Sequence, residues 1–357
     1  MGITIGKAKE ISNLQLIIPA GYKAYLNLRE TEKAIKYIKD LFQSNFSKEL
    51  NLERVSAPMM VLSETGINDH LSGVEKPITF SIKDIRKDAE IVQSLAKWKR
   101  MALKDYGYRQ GEGLYTDMNA LRPDESLDNL HSIYVDQWDW ERIINEEERN
   151  IQFLKRIVKK IYQVIRDKEK EICQAYPQLP PPHLPDEIYF IHSEDLEDRF
   201  PDLTPRERER EICKEKEAVF IIGLGGVLQN GQPHDGRAAD YDDWSTNNGN
   251  GKRGLNGDIF VWYPLLNRAF ELSSMGIRVD PKALIVQLEI KKEQYKTELY
   301  FHKRLLGGEL PLSIGGGIGQ SRLCMLYLRK AHIGEVQCGI WSEEMRDVCK
   351  KSNIFLL

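Results

Sequence analysis

The segment Gly315-Gly316-Gly317-Ile318-Gly319-Gln320-Ser321-Arg322 runs straight into the apolar stretch Leu323-Cys324-Met325-Leu326-Tyr327-Leu328. In a strand, side chains alternate with a period of two, so Gly315, Gly317 and Gly319 fall on one face. A strand face without Cβ atoms lets a flat ligand lie against the backbone. Arg322 then stands at the strand-to-helix junction, placed to meet an anion. The pattern suits a nucleotide, with the base on the glycine floor and a phosphate near the arginine. The same residues also fit a mobile glycine loop ahead of a packing helix.

The rest of the chain limits what such a floor can serve. A net charge of -3 gives no global attraction to nucleic acid. The five cysteines are odd in number and include no C-x-x-C pair, which argues for reduced thiols in a cytoplasmic setting. The histidines show no metal-type spacing, and no apolar run reaches signal-peptide or membrane-spanning length. With 357 residues the chain has length for one large domain or two ordinary ones.

Along the chain, Ile35, Ile38, Leu41, Phe42 and Phe46 recur at helical spacing within residues 29–46. Leu52 to Leu62 reads as a strand interrupted by Pro58, which cannot donate to a ladder and so marks an edge, a bulge or an interface strand. Ile151, Leu154, Ile157, Val158, Ile161, Val164 and Ile165 form the apolar stripe of a second helix, and Pro180-Pro181-Pro182 ends that region as a stiff connector. Arg206 to Glu217 is a dense mixed-charge run, expected as the solvated face of a helix. Strands are expected at Ala218 to Leu224, Asp258 to Tyr263, Phe270 to Val279 and Ala283 to Ile290. Helices and strands do not alternate regularly, which argues against a doubly wound parallel sheet.

Leu114 to Arg122 and His131 to Trp140 read as an antiparallel pair around the loop Pro123-Asp124-Glu125-Ser126. On the return strand Ile133, Val135, Gln137 and Asp139 share one face, and an amide beside a carboxylate suits an ammonium or amide group. An ordinary wet sheet face has the same appearance. Asp258 begins one strand and Glu271 lies in the next, with Ser273 expected on the face of Glu271. Paired carboxylates on neighbouring strands can share Mg²⁺ with nucleotide phosphates. No G-x-x-x-x-G-K-[ST] is present, and Gly223-Leu224-Gly225-Gly226-Val227-Leu228 lacks the last glycine of a dinucleotide fingerprint.

Taken in order, the Pro58 segment, the Arg122 strand-loop-strand and the glycine strand ending in Arg322 resemble the three signature motifs of the class II aminoacyl-tRNA synthetase catalytic domain. More closely, the whole chain resembles the ammonia-dependent asparagine synthetase family. Matching stretches include Asp69-His70-Leu71-Ser72-Gly73, Ser94-Leu95-Ala96-Lys97-Trp98-Lys99-Arg100 and Ala120-Leu121-Arg122-Pro123-Asp124-Glu125. Others are Tyr134-Val135-Asp136-Gln137-Trp138-Asp139-Trp140-Glu141, Asp240-Tyr241-Asp242-Asp243-Trp244-Ser245 and Glu271-Leu272-Ser273-Ser274-Met275-Gly276-Ile277-Arg278-Val279. Ser321 stands where the synthetases' third motif usually has glutamate, and Leu121 where their second usually has phenylalanine. Both departures look normal for the asparagine synthetases.

The resemblance implies an α+β fold, an antiparallel sheet flanked by helices, forming one catalytic domain over residues 1–357. Residues 1–28 would be an extension with no assigned role, and residues 141–217 a largely helical insertion. It also implies a homodimer, with Leu52 to Leu62 at the interface, that joins L-aspartate to ammonia at the expense of ATP. Arg122 would bridge the aspartate β-carboxylate and the α-phosphate, Arg322 would hold the far phosphates, and Gly315, Gly317 and Gly319 would floor the base. Mg²⁺ would sit on Asp258 and Glu271. Gln137 would bond the acyl oxygen, Asp139, Asp242 and Ser274 would meet the substrate's α-amino group, and Ser94 and Lys99 its α-carboxylate. Asp69, on a loop able to close over the site, would receive ammonium and take its proton; a helix cap or turn residue is the plainer role for it. A tRNA-ligase relative and a non-catalytic amino-acid sensor are the competing readings. No segment is left over for an oligonucleotide-binding barrel, and a sensor has no need of Arg122, Asp258, Glu271 and Arg322 together.

Overall fold

The computed structural model describes residues 9–69, 71–72, 75–249 and 251–357, so His70 and Gly73 of the matching stretches lie outside the described residues. A hairpin of β1 (Lys9–Ile11) and β2 (Leu16–Ile18) leads to α1 (Leu28–Leu50). Asn27 starts α1 as a reciprocal cap: its side chain accepts from Glu30 N, and the Glu30 carboxylate accepts from Asn27 N. Next come β3 (Leu52–Arg54), β4 (Met60–Leu62), β5 (Thr79–Ile82), β6 (Lys87–Ile91) and α2 (Ala96–Asp105). The expected Leu52–Leu62 strand is therefore two strands. Pro58 lies between them, and β3 and β4 belong to different sheets.

The long hairpin β7 (Gly113–Leu121) and β8 (Tyr134–Ile143) precedes α3 (Ile151–Ala175), β9 (Tyr189–His192), α4 (Ser193–Arg199) and α5 (Pro205–Lys216). The chain then runs through β10 (Ala218–Ile222), β11 (Asn256–Tyr263), β12 (Arg268–Ile277), α6 (Pro281–Lys291), α7 (Tyr300–Leu306), β13 (Ser313–Gly319), α8 (Gln320–Leu328) and α9 (Glu343–Lys351). Residues 283–290, expected as a strand, are helical. Asp280 accepts from Ala283 N and Pro281 occupies the first turn, so a strong helix start overrides a short apolar run that suits either structure.

The central sheet has eight strands in the order β3-β7-β8-β13-β12-β11-β10-β9. Its interior is antiparallel, and only the two outermost pairs, β3 with β7 and β9 with β10, are parallel. One face is apolar: Trp138, Trp140, Met275, Ile314 and Ile318 are fully buried, and α1, α3 and α8 pack together within the same core. Phe42 packs at a tilt of 35° against Trp138 with ring centroids 4.7 Å apart, and Phe46 meets Trp140 edge-on at 6.1 Å. The N-terminal segment joins this core. Leu16, Tyr22 and Leu26 are buried in it, and the Tyr22 hydroxyl donates to the Glu335 carboxylate at 2.9 Å.

The opposite face carries the glycines. Register aligns Asp258 with Ser274, Ser274 with Gly317, Gly317 with Asp139 and Asp139 with Thr116, one row across five strands. A β-bulge between β11 and β12 breaks the simple alternation: Ser274 pairs Asp258, whereas Glu271, three residues earlier, pairs Phe260. Ser273, expected beside Glu271, pairs Ile259 instead and donates to Gly317 O at 2.9 Å. Phe42→Ala should lower the free energy of unfolding by about 3–5 kcal/mol, because it empties a fully buried ring site against Trp138. Denaturant unfolding measures this, and a loss below about 1 kcal/mol would contradict the packing described.

Candidate active site

Over the glycine face lies a cleft of about 920 Å³ whose lining includes Arg122, Gln137, Asp258, Glu271, Ser274 and Arg322. A smaller recess shares Arg122, Gln137, Glu271 and Arg322 and is floored by Gly317 and Gly319. Arg122 directly follows β7; its Nη2 donates to Gln93 O at 3.3 Å, and its buried Nε has no partner. Burial lowers its proton affinity, yet an arginine stays charged at any pH of interest. Arg322, in the first turn of α8, donates to Glu271 O at 3.0 Å and lies 3.2 Å from Glu271 Oε2. Two guanidinium groups thus share one cleft, each with donors to spare.

Asp258 accepts from Arg237 Nη2 at 2.5 Å through Oδ2, while its buried Oδ1 has no partner. Burial raises the Asp258 carboxyl, Arg237 opposes this, and nearby Glu271 and Asp235 raise it further. A carboxylate with a bare buried oxygen and anionic neighbours is suited to a cation, so the residues present fit a divalent ion on Asp258 and Glu271. Among the described residues no group of three or more His, Cys, Asp or Glu side chains is arranged to hold a metal. Such an ion would need further oxygens from a ligand, as Mg²⁺ takes from phosphates.

On the same face, toward the Gly315 end of the floor, is a buried layer of charge. Arg278 binds both oxygens of Glu141 at 2.8–3.1 Å and also donates to Asp242. Lys99 Nζ donates to Asp139, to Trp140 O at 3.0 Å and to Gly316 O at 3.3 Å. An ammonium has three N–H groups, so Lys99 is committed to holding Asp139 and has no donor for a substrate carboxylate. Asp139 Oδ2 is left buried and unpartnered. The close ion pairs of the layer set Glu141, Asp139 and Asp242 against Arg278 and Lys99, with Arg237 acting on Asp242 and buried Arg100 on Glu141 from farther away.

The glycines have different tasks. A Cβ on Gly315 would collide with the Glu141 carboxylate and with Arg278 Nη2, so its missing side chain makes room for that ion pair rather than for a ligand. A Cβ on Gly317 would strike the Gln137 amide, and one on Gly319 would lie 3.1 Å from Arg322 Cβ. Gly317 and Gly319 therefore keep Gln137 and Arg322 in place as well as leaving a flat floor.

Asp69 is wholly buried, outside the residues that line the cleft. Its Oδ2 accepts from Ala96 N at 2.6 Å, so it does cap α2, while Oδ1 has no hydrogen-bond partner. Burial pushes its carboxyl up to about 6, with Lys97 pulling downward and Asp240 upward. The loop around it is docked, since Asn68 bonds Glu90, Ile91 O and Gln93 N. Tyr241, which lines the cleft, donates to Leu71 O at 3.0 Å. Ser94 is half-buried just ahead of α2.

Several contributors escape sequence reasoning. Arg278 finds both its anions, and Arg237 its site partner Asp258, more than 20 residues away, although Arg237 also bonds its near neighbour Asp235. The run 206–217 is α5, yet Arg208, Ile212 and Cys213 are buried and Arg206, Glu209 and Arg210 line the cleft. Glu209 meets His234 Nε2 at 3.0 Å, fastening the helix over the site. Among the described residues no helix is long and apolar enough to cross a membrane.

The model of the aspartate-ammonia ligase family matches residues 29–353. The chain is 61% identical over 343 residues to an aspartate–ammonia ligase of Parabacteroides distasonis, covering 96% of this chain and 99% of that protein. It is 56% identical over 344 residues to one of Clostridium perfringens, with the same shares covered. Among solved structures it is similar to Entamoeba histolytica asparaginyl-tRNA synthetase (TM-score 0.61, 13% identity, 87% of this chain and 67% of that one). It also resembles the Pyrococcus horikoshii asparaginyl-tRNA synthetase complexed with asparaginyl-adenylate (TM-score 0.60, 16% identity, 86% of this chain and 68% of that one). At such identities the structural likeness shows the fold alone, a class II aminoacyl-tRNA synthetase-like catalytic fold. By family model and by near full-length identity, this chain belongs to the aspartate–ammonia ligase family.

Proposed function

We propose that this chain makes L-asparagine from L-aspartate, ammonia and ATP by way of a β-aspartyl adenylate, releasing pyrophosphate and then AMP. The observation that carries this reading is the split character of the site. Arg122 and Arg322, with donors to spare, line the cleft, and the buried Asp139 carboxylate beside the glycine floor keeps an unpartnered oxygen. An amino acid joined to a nucleotide has that same division, an ammonium at one end and phosphate at the other.

A free carboxylate does not accept ammonia, so its oxygen must first become part of a good leaving group. That step asks the protein for orientation and for cancellation of negative charge. Arg122, which shares the cleft with Glu271 and Arg322, would bring the β-carboxylate to the α-phosphate. Arg322 serves the outer phosphates and would leave Glu271 to do so. The base lies over Gly317 and Gly319, and Gln137 beside them bonds the acyl oxygen. Asp139 through its free Oδ2, with Asp242 and Ser274 nearby, receives the α-amino group; Ser94 remains for the α-carboxylate. Asp258 and Glu271 would hold Mg²⁺, which supplies further neutralisation of phosphate charge. Asp69 takes the proton from ammonium, and a carboxyl at about 6 is ionised yet basic enough for that task near neutral pH.

The chain acts as a homodimer in this reading. The segment 52–62 supports it: β3 is the terminal strand of the large sheet, and Met59 and Met60 are 52% and 44% exposed. Light scattering should return twice the 41.3 kDa chain mass, and a monomer mass under dilute conditions would remove this element.

Two substitutions test the chemistry by separating its halves. Arg122→Ala should lower aspartate-dependent exchange of pyrophosphate into ATP on the order of a hundredfold or more. Asp69→Asn should keep that exchange while asparagine formation falls, with partial recovery as the pH approaches the ammonium pKa and free NH₃ no longer needs a base. Wild-type exchange in the first variant, or a parallel loss of both activities in the second at every pH, would contradict the assigned roles.

A further inference from the structure

Behind Asp69 lies a second set of buried charges that the chemistry above does not use. Asp69 Oδ1 has no hydrogen-bond partner, and Lys97 Nζ lies 3.8 Å from it. Lys97, in the first turn of α2, is 3% exposed, and its Nζ donates to Asp240 Oδ2 at 3.1 Å. His302 Nε2, from α7, lies 3.0 Å from the same oxygen, and Lys296 Nζ lies 3.8 Å from it. Asp240 Oδ1 and His302 Nδ1 are both buried without a partner. Tyr241 and Arg278 face the cluster from the cleft side, and Arg278 is already held by Glu141 and Asp242.

We propose that Lys97 and Asp240 are positioning residues for the ammonia step. Lys97 is a counter-charge shared by two carboxylates, leaning on Asp69 while it is ionised and falling back on Asp240 once Asp69 has taken a proton. His302, donating Nε2–H, fixes the Asp240 carboxylate in place. This inference rests on the reading of Asp69 as the base.

The argument is one of charge balance in a dry place. A lysine this deep stays charged only beside an anion, and a buried charge that loses its partner is strongly disfavoured. When ammonium gives up its proton, an N–H bond breaks, its electron pair stays on nitrogen and the proton goes to Asp69 Oδ1. The NH₃ lone pair then attacks the acyl carbon, the acyl–oxygen bond breaks with its pair leaving on AMP, and the second N–H proton passes from the amide nitrogen to the departing phosphate and on to water. At that moment Asp69 is neutral. With Asp69 alone beside it, Lys97 would be stranded and would resist the proton transfer. Asp240 removes that resistance. Burial alone would raise the Asp240 carboxyl, but Lys97, His302 and Lys296 outweigh it and hold the group well below the usual carboxylate range. Asp240 therefore remains an anion throughout, as a standing partner for Lys97 must.

The test is the pH dependence of kcat for asparagine formation at saturating ammonium, with pyrophosphate exchange measured beside it. In Asp240→Asn, Lys97 has only Asp69 to lean on, and a negative neighbour of Asp69 is gone. The acid limb should move to lower pH by about one unit or more. In Lys97→Met the positive neighbour is lost, and the limb should move to higher pH by a similar amount. Exchange should stay within a few-fold of wild type in both. Opposite displacements are not what a merely structural cluster would produce. Limbs that stay put, limbs that move the same way, or loss of exchange in both variants would overturn the proposal; should one variant alone lose exchange, the direction of the other's limb decides. A parallel loss of both half-reactions in Asp69→Asn would instead remove the base beneath it, a separately visible failure.

Discussion

Arg278 is buried between Glu141 and Asp242, and most of the site depends on where that guanidinium can go. It follows β12, Glu141 lies near the end of β8, and β13 passes between those two strands. The ion pair crosses β13 at Gly315, where any side chain would occupy the space of both partners. A buried charge without its counter-ion is far more costly than the pair itself is stabilising, so strand order, glycine spacing and charge placement form one requirement. The same row of strands carries Asp139 to Lys99 and leaves the Asp139 Oδ2 without a partner. The glycine strand is first a structural necessity of that layer, and the flat floor at Gly317 and Gly319 is its consequence.

Much of this was legible because it is local and periodic. The alternate glycines, the two tryptophans opposite Gln137 and Asp139, and the turn between β7 and β8 announce a sheet face and its two sides. What escaped detection depends on partners distant in sequence. Arg278 and Arg237 look like any other arginines until Glu141 and Asp258 are brought to them. Lys99 reads as an available cation, yet folding consumes its three donors. The bulge that sets Glu271 and Ser274 on one face changes a period that sequence counting assumes constant. In residues 283–290 a cap four residues upstream of Leu284 outweighs apolar composition. The charged run of α5 reads as solvated because its buried positions are few, and one of them, Arg208, is itself charged.

The architecture divides labour by depth. Arg122, Arg322, Asp258 and Glu271 line the cleft, where the proposed reading places the phosphates. Asp139, with its unpartnered Oδ2, is buried beside the floor, and the proposed reading places the substrate ammonium there. Deeper still, Asp69, Lys97, Asp240 and His302 form a group with buried, unpartnered atoms, to which the proposed reading assigns a change of protonation. Family membership gives the overall reaction its support, and this layering gives a physical reason for the order of its steps: activation at the surface, attack from behind.

The claim at the centre is that the β-carboxylate oxygen is joined to the nucleotide before ammonia arrives. Aspartate labelled with ¹⁸O in its β-carboxylate, turned over with ATP and ammonium, tests it directly. The account predicts that the AMP formed carries one ¹⁸O from that carboxylate in its phosphate. AMP free of label, or label appearing in pyrophosphate or inorganic phosphate, would contradict it.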